Sequence, residues 1–190
     1  MANFRDGDAI KKETVMQDAA VPISEKLHTL HRFTEEKLTG FLQQGDFAGY
    51  GIKANEFDVF CAFWVIACYL RSTATPAAAA VEVFSRSAIL AIVDRIAADR
   101  EDDVDDDTIS NSLSDAITTI FMERFSAYRE SFGIDVGKVE VEVGPAFPSL
   151  VSDFFANVLD RPLAQNAPAR QVLGALLADF LSKSRCFFVG

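Results

Sequence analysis

The chain has 190 residues, 49% of them hydrophobic, and a formal net charge of −10 at pH 7. This length suits one domain, residues 1–190, with a self-supporting core. The negative charge repels nucleic-acid phosphates and anionic membrane surfaces, so we expect neither as a partner. The 17 Phe and the mean hydropathy of +0.14 indicate a large core or an apolar surface covered by a partner, most simply a homodimer.

The cysteines and the apolar runs indicate the compartment. Three Cys is an odd number, and Cys61 and Cys68 lie inside an apolar segment, where they resemble small buried hydrophobes. The N-terminus lacks the continuous apolar run of a signal peptide. No stretch reaches the roughly 18 apolar residues of a membrane span. We therefore expect a soluble cytosolic protein.

The first helix is predicted from Pro22 to about Gln44. Residues 1–12 mix charge and Gly and are expected to form a loose tail. Apolar side chains then recur at intervals of three and four residues, as on one face of a helix: Ile23, Leu27, Leu30, Phe33, Leu38, Phe41 and Leu42. The glycines of GDFAGYG, residues 45–51, predict a turn after it.

The second helix, Asn55 to Arg71, is the most apolar segment of the chain. From Val59 to Leu70 it contains no charged residue, so it has no face for water and must be enclosed by the other helices. Asn55 is predicted as its N-cap. Asp58 follows three residues later, where a carboxylate is stabilised by the positive end of the helix dipole.

A third helix is predicted with Thr75 as N-cap and Pro76 at its first position. Its small residues, Ala77–Ala80, favour close packing against the second helix. An acidic run, residues 100–108, separates it from a fourth helix with a long apolar stripe, which Gly133 is expected to end. The stripe consists of Ile109, Leu113, Ile117, Ile120, Phe121, Phe125, Tyr128 and Phe132.

The pattern after Gly133 differs from that of a helix. Val139, Val141 and Val143 alternate with charged residues, which is the period of a strand over 138–143. A lone strand is not stable. Three alternatives remain open: pairing with an extended C-terminal stretch at 186–189, pairing with the same strand of a second subunit, or an extended connector without a sheet.

Two short helices complete the predicted fold. One begins at Pro148-Ser149 and stops at Arg161-Pro162, and the last begins near Asn166 and Pro168. The sequence thus predicts an all-α, single-domain bundle of about six or seven helices around the central helix 55–71, with one short strand near 138–143 as an option.

The first predicted helix carries both histidines of the protein. Glu25 and His28 have the Glu-x-x-His spacing that forms half of a di-metal site in helical bundles. A second such pair is absent, and at about 100° per residue only His31 projects near the apolar stripe. The metal hypothesis is therefore an exposed or interfacial site of His28, His31 and Glu35. The alternative is a solvated helix flank.

The acidic run resembles the opening of a calcium-binding loop. Asp103, Asp105 and Asp107 fall at positions one, three and five of that motif. Position six, normally Gly, is Thr108, and position twelve, normally Glu, is Ser114. These departures favour a solvated loop that caps the next helix over a divalent-ion site.

The central aromatic residues allow two interpretations. Bundles hold apolar ligands between helices, and an anion is compatible with Arg124 and Tyr128, one turn apart near the fourth stripe. This hypothesis predicts a pocket lined by His31, Asp58, Trp64, Tyr69, Arg124 and Tyr128. The alternative is that these aromatic residues simply form the core.

The motifs of common enzymes are absent from the sequence. There is no Gly-x-Ser-x-Gly elbow, no phosphate-binding loop and no Gly-x-Gly-x-x-Gly after a strand, so we predict no cofactor. The leading hypothesis is a non-catalytic cytosolic interaction module, acting as a homodimer or as the acidic partner of a basic protein. The alternative is a small-molecule-binding helical protein or enzyme with His31 or Asp58 in an aromatic-lined pocket.

Overall fold

The structure is a computed structural model that describes residues 22–44, 47–98, 106–132 and 147–189, without the side chains of 97–98, 106–114, 147 and 189. These parts of the chain form a compact helical bundle, which confirms the predicted all-α class. The six helices of the described residues are α1 (Ile23–Leu42), α2 (Ala54–Ser72), α3 (Ala78–Ala98), α4 (Asp106–Phe132), α5 (Phe147–Val158) and α6 (Pro168–Val189).

Helix α2 is the centre of the bundle, as its lack of charge predicts. It packs against all five other helices, and these contact one another in the closed order α1, α3, α4, α5, α6 and back to α1. Every residue from Phe57 to Tyr69 is buried, so the helix has no solvent face. The contact between α1 and α6 is the least extensive in the ring.

Aromatic side chains bind the ring to its centre. Phe60 on α2 meets Phe154 of α5 and Tyr128 of α4, at ring-centroid distances of 4.6 and 5.2 Å. Trp64 meets Phe132 at 5.3 Å. These edge-to-face pairs are the favoured aromatic geometry. The many Phe of the sequence therefore serve a large core.

The turn before α2 is held by the segment after α5. The Lys53 N–H donates to Val158 at 2.8 Å, the Asp160 N–H donates to Gly51 at 2.9 Å, and Ile52 and Leu159 form an isolated antiparallel bridge. Gly51 is required here because a Cβ would lie 2.8 Å from Asp160 Oδ2. This clamp fixes the amino end of α2.

Three local predictions are wrong. Helix α2 begins at Ala54 with Lys53 as N-cap, so Asn55 is not the cap. Helix α3 begins at Ala78 rather than Pro76, because the hydroxyl of Tyr69 accepts the Ala77 N–H at 2.9 Å. The stretch 186–189 is not extended, since α6 continues through it.

Several other predictions lie outside the described residues. These are the tail at 1–12, most of the acidic run, Gly133 and the strand at 138–143, so the alternatives for that strand remain open. Cys61 and Cys68 are buried, in agreement with their assignment to the core, and Cys186 is exposed.

Candidate functional site at the amino end of α2

Charged and polar side chains of four helices meet around the first turns of α2. We call this group the polar cluster, and it consists of His31 and Glu35 from α1, Asn55, Glu56 and Asp58 from α2, Arg95 from α3 and Arg124 from α4. Burial of so many polar groups is costly unless they are paired. Their pairing therefore shows what the cluster can do.

The buried carboxylate of Asp58 is paired with Arg95. Arg95 Nη1 contacts Asp58 Oδ2, and Arg95 Nη2 donates to Asn55 Oδ1 at 3.0 Å. Burial raises the pKa of the Asp58 carboxyl, and the guanidinium of Arg95 opposes this rise. The expectation that Asp58 acts as a capping group is therefore wrong, because its partner is a side chain of α3.

A second ion pair connects α2 to α4. Arg124 donates from Nε to Glu56 Oε2 and from Nη2 to Glu56 Oε1, both at 2.9 Å. This two-pronged geometry is among the stronger forms of ion pair. One turn further along α4, the Tyr128 hydroxyl accepts a hydrogen bond from Asn157 at 3.1 Å. Burial raises the pKa of Tyr128, so it stays protonated at neutral pH.

His31 lies at the inner edge of the cluster. Its side chain is 17% exposed and its ring meets Phe84 edge to face at 5.5 Å. Burial lowers the pKa of His31 to about 4, so the imidazole is neutral at pH 7. Its Nε2 is buried and has no hydrogen-bond partner in the part of the chain that the structure describes. His31 is therefore destabilising when protonated.

The metal hypothesis gains no further ligand from the structure. His31 Nδ1 lies 3.7 Å from Glu35 Oε1, whereas His28 is exposed and packs against Phe84. Among the described residues, no group of three His, Cys, Asp or Glu side chains is placed to hold a metal ion. The site remains a prediction with two adjacent side chains.

Four of the six predicted pocket residues lie at this end of α2, and two do not. His31, Asp58 and Arg124 belong to the polar cluster, and Tyr128 lies next to it. Trp64 is in the middle of the core, and Tyr69 fixes the start of α3 at the opposite end. None of the six lines any of three surface clefts formed by described residues.

One of these clefts lies directly beside the polar cluster. It has a volume of about 530 Å³ and is formed by α2, α3 and α4. Its lining consists of Lys53, Ala54, Asn55, Glu56, Arg95, Ile96 and Ile120. The cleft thus gives solvent access to both ion pairs of the cluster.

Sequence reasoning missed Asn55, Glu56 and Arg95 as members of this site. Arg95 follows two turns of apolar residues in α3 and resembles an ordinary charge at a helix end. Its one available signal is that α3 antiparallel to α2 places its last turns beside Asn55 and Asp58. That signal requires the helix packing, which the sequence pattern alone does not supply.

A second feature of the surface is the outer face of α3, which we define as Ala79, Val83, Arg86, Leu90 and Asp94. At about 100° per residue these positions share one side of the helix, and all are exposed. The side chain of Val83 is 55% exposed and that of Leu90 is 48% exposed. Helix α3 is thus apolar toward the core and partly apolar toward solvent.

Comparison with known proteins identifies no relative: no family model, no curated protein and no solved structure matches the chain. Within the described parts of the chain, no helix combines the length and the apolar content that crossing a membrane requires. The argument for function therefore rests on the two surface features above.

Proposed function

We propose that this protein is a non-catalytic cytosolic interaction module that self-associates through the outer face of α3. The observation that carries the proposal is the exposure of Val83 and Leu90, seven residues apart on one side of α3. Large apolar side chains aligned on one helix face are typical of a surface that another helix covers.

The charges on this face favour a second copy of the chain as the partner. Arg86 and Asp94 lie four residues before and four residues after Leu90. An antiparallel pair of α3 helices with a twofold axis at Leu90 therefore sets Arg86 of each copy against Asp94 of the other. A twofold dimer uses one patch twice, and opposite charges at both flanks would fix its register.

The test is the molar mass in solution, measured by light scattering after size exclusion at high micromolar concentration. We expect a dimer for the wild type and a monomer for Leu90→Glu, because two buried carboxylates would face each other at the axis. Met122→Glu is the matched control, since Met122 is 60% exposed on α4 and lies outside this face. A wild-type monomer contradicts the proposal.

A charge exchange tests the register. Arg86→Asp alone sets like charges together at both flanks and should raise the dimer dissociation constant about tenfold. The double variant Arg86→Asp with Asp94→Arg restores both opposite-charge pairs and should return the dissociation constant toward the wild-type value. Failure of the double variant to recover contradicts the antiparallel arrangement.

The alternative of a basic protein partner has the net charge of −10 in its favour. No cluster of acidic side chains among the described residues identifies a surface for it. Self-association is therefore the function that the geometry supports best.

A further inference from the structure

The cleft beside the polar cluster has the size and shape of a small-molecule site. Its volume of about 530 Å³ lies within the roughly 300–1,000 Å³ of typical ligand pockets. The first turn of α2, Lys53 to Glu56, forms one side, and Ile96 and Ile120 form the other. This site is independent of the outer face of α3, since neither Val83 nor Leu90 lines it.

The charge of the cleft is positive although the whole chain is acidic. Arg124 neutralises Glu56 through its two-pronged ion pair, and Asp58 neutralises Arg95. The ammonium of Lys53 then leaves one excess positive charge at the rim. A ligand with a single negative charge would balance it.

Arg95 remains able to bind a ligand. A guanidinium carries five N–H donors, and the contacts with Asp58 and Asn55 use one donor each from Nη1 and Nη2. Its side chain is 41% exposed, and it lines the cleft. Guanidinium groups are suited to carboxylates because the two planar groups match in geometry.

The opposite wall of the cleft is apolar. Ile96 and Ile120 line it, and Ile120 is 38% exposed although it belongs to the apolar stripe predicted for α4. An aliphatic ligand would cover this side chain and remove apolar area from water. The cleft therefore presents a cationic side and an aliphatic side at once.

We propose that this cleft binds a small aliphatic monocarboxylate. The carboxylate lies against Arg95 and Lys53, where the positive end of the α2 dipole adds to the attraction. The alkyl chain lies against Ile96 and Ile120. This inference goes beyond self-association and does not depend on it.

Isothermal titration with hexanoate tests the inference on the full chain. We expect saturable binding with one site per chain, because hexanoate supplies both the charge and the apolar chain. Hexanol lacks the charge and acetate lacks the chain, so each should bind at least about tenfold more weakly, a difference of about 1.4 kcal/mol. No saturable binding of hexanoate, or equal binding of hexanol, overturns the proposal.

Variants locate the site. Ile120→Glu places a negative charge on the apolar wall and should abolish hexanoate binding, whereas Met122→Glu adds the same charge on α4 outside the cleft and should leave binding unchanged. Lys53→Gln, on an exposed residue, should weaken binding about tenfold and decides the question if Ile120→Glu does not fold. Wild-type binding in both Ile120→Glu and Lys53→Gln overturns the assignment.

A titration of Leu90→Glu separates this inference from self-association. The monomer that this variant forms should bind hexanoate as the wild type does, because Leu90 does not line the cleft. Loss of binding in Leu90→Glu, with retained binding in Met122→Glu, would place the ligand at the α3 face and contradict the cleft.

Discussion

His31 shows how the burial of a single side chain in this bundle affects its stability. The ring is enclosed by Phe84, its Nε2 is buried, and Asp58 is close enough to influence its titration. Burial disfavours the charged imidazolium more than Asp58 favours it, so the pKa of His31 falls to about 4. The neutral form is therefore part of the folded structure.

The lowered pKa of His31 predicts a loss of stability in mild acid. The folded-state pKa lies below the unfolded value, so this contribution is fully present above pH 6.5 and is lost as the pH falls toward 4. Between pH 7 and pH 5 the linkage amounts to about 2 kcal/mol of unfolding free energy. Urea unfolding of the wild type and of His31→Gln at both pH values measures it.

The variant serves as the control for this measurement. Burial also raises the pKa of Asp58 and of Glu35, which acts in the opposite direction, but both carboxyls are present in the two proteins. The difference between the pH dependences of wild type and His31→Gln therefore isolates His31. Equal pH dependences would contradict the lowered pKa.

The glycines of α1 and of the following turn differ in what they tolerate. Gly40 lies within α1, and a Cβ added there would meet nothing within 4 Å. Gly49 has a φ of +92°, a conformation that residues with a Cβ rarely adopt. The same substitution should therefore have opposite effects at the two positions.

Gly40→Ala should stabilise the protein by about 0.5–1 kcal/mol, because alanine has the higher helix propensity and restricts the unfolded chain. Gly49→Ala should destabilise it, because the left-handed backbone must be strained or rearranged. Thermal unfolding of both variants, compared with the wild type, measures the two shifts. A lower melting temperature for Gly40→Ala would show that this face of α1 is in use.

The helices themselves were largely predictable, whereas their partners were not. The apolar intervals of α1 predict its bounds closely, and the charge-free run of α2 predicts its burial, since both signals are local. The start of α3 was not predictable, because the hydroxyl of Tyr69 captures the Ala77 N–H across the turn. The Asp58–Arg95 pair likewise depends on helix packing, so the site was found only in part.

The C-terminal stretch illustrates the same limit. Phe187 and Phe188 suit a strand by propensity, but Phe188 packs against Tyr69 at 4.9 Å at the end of a continuous helix. Tertiary packing overrides a weak local preference of this kind. The alternatives for residues 138–143 are of the same type and lie outside the described residues.

At the scale of the whole molecule, the central position of α2 predicts a single cooperative unfolding transition. Phe60 is fully buried and contacts rings of α4 and α5, so Phe60→Ala should cost about 3–5 kcal/mol. Phe33→Ala is the control, since Phe33 is 41% exposed and should cost about 1 kcal/mol.

Two probes of urea unfolding test the cooperativity. Trp64, the one Trp of the sequence, reports on the core by fluorescence, and far-ultraviolet circular dichroism reports on all helices. We expect the two transitions to coincide in the wild type and in Phe60→Ala, because no helix of the described bundle can leave α2 without exposing it. Separated transitions would contradict this expectation.

The order of the helices has a consequence for synthesis on the ribosome. Helix α2 is the second helix made, but α6, which covers one of its sides, ends 117 residues after Ser72. At the usual 5–20 residues per second, the emerging apolar helix waits roughly 6–23 s for its last neighbour. During that interval the nascent chain presents a sticky surface that chaperones recognise, and release before α6 is complete would leave it to aggregate.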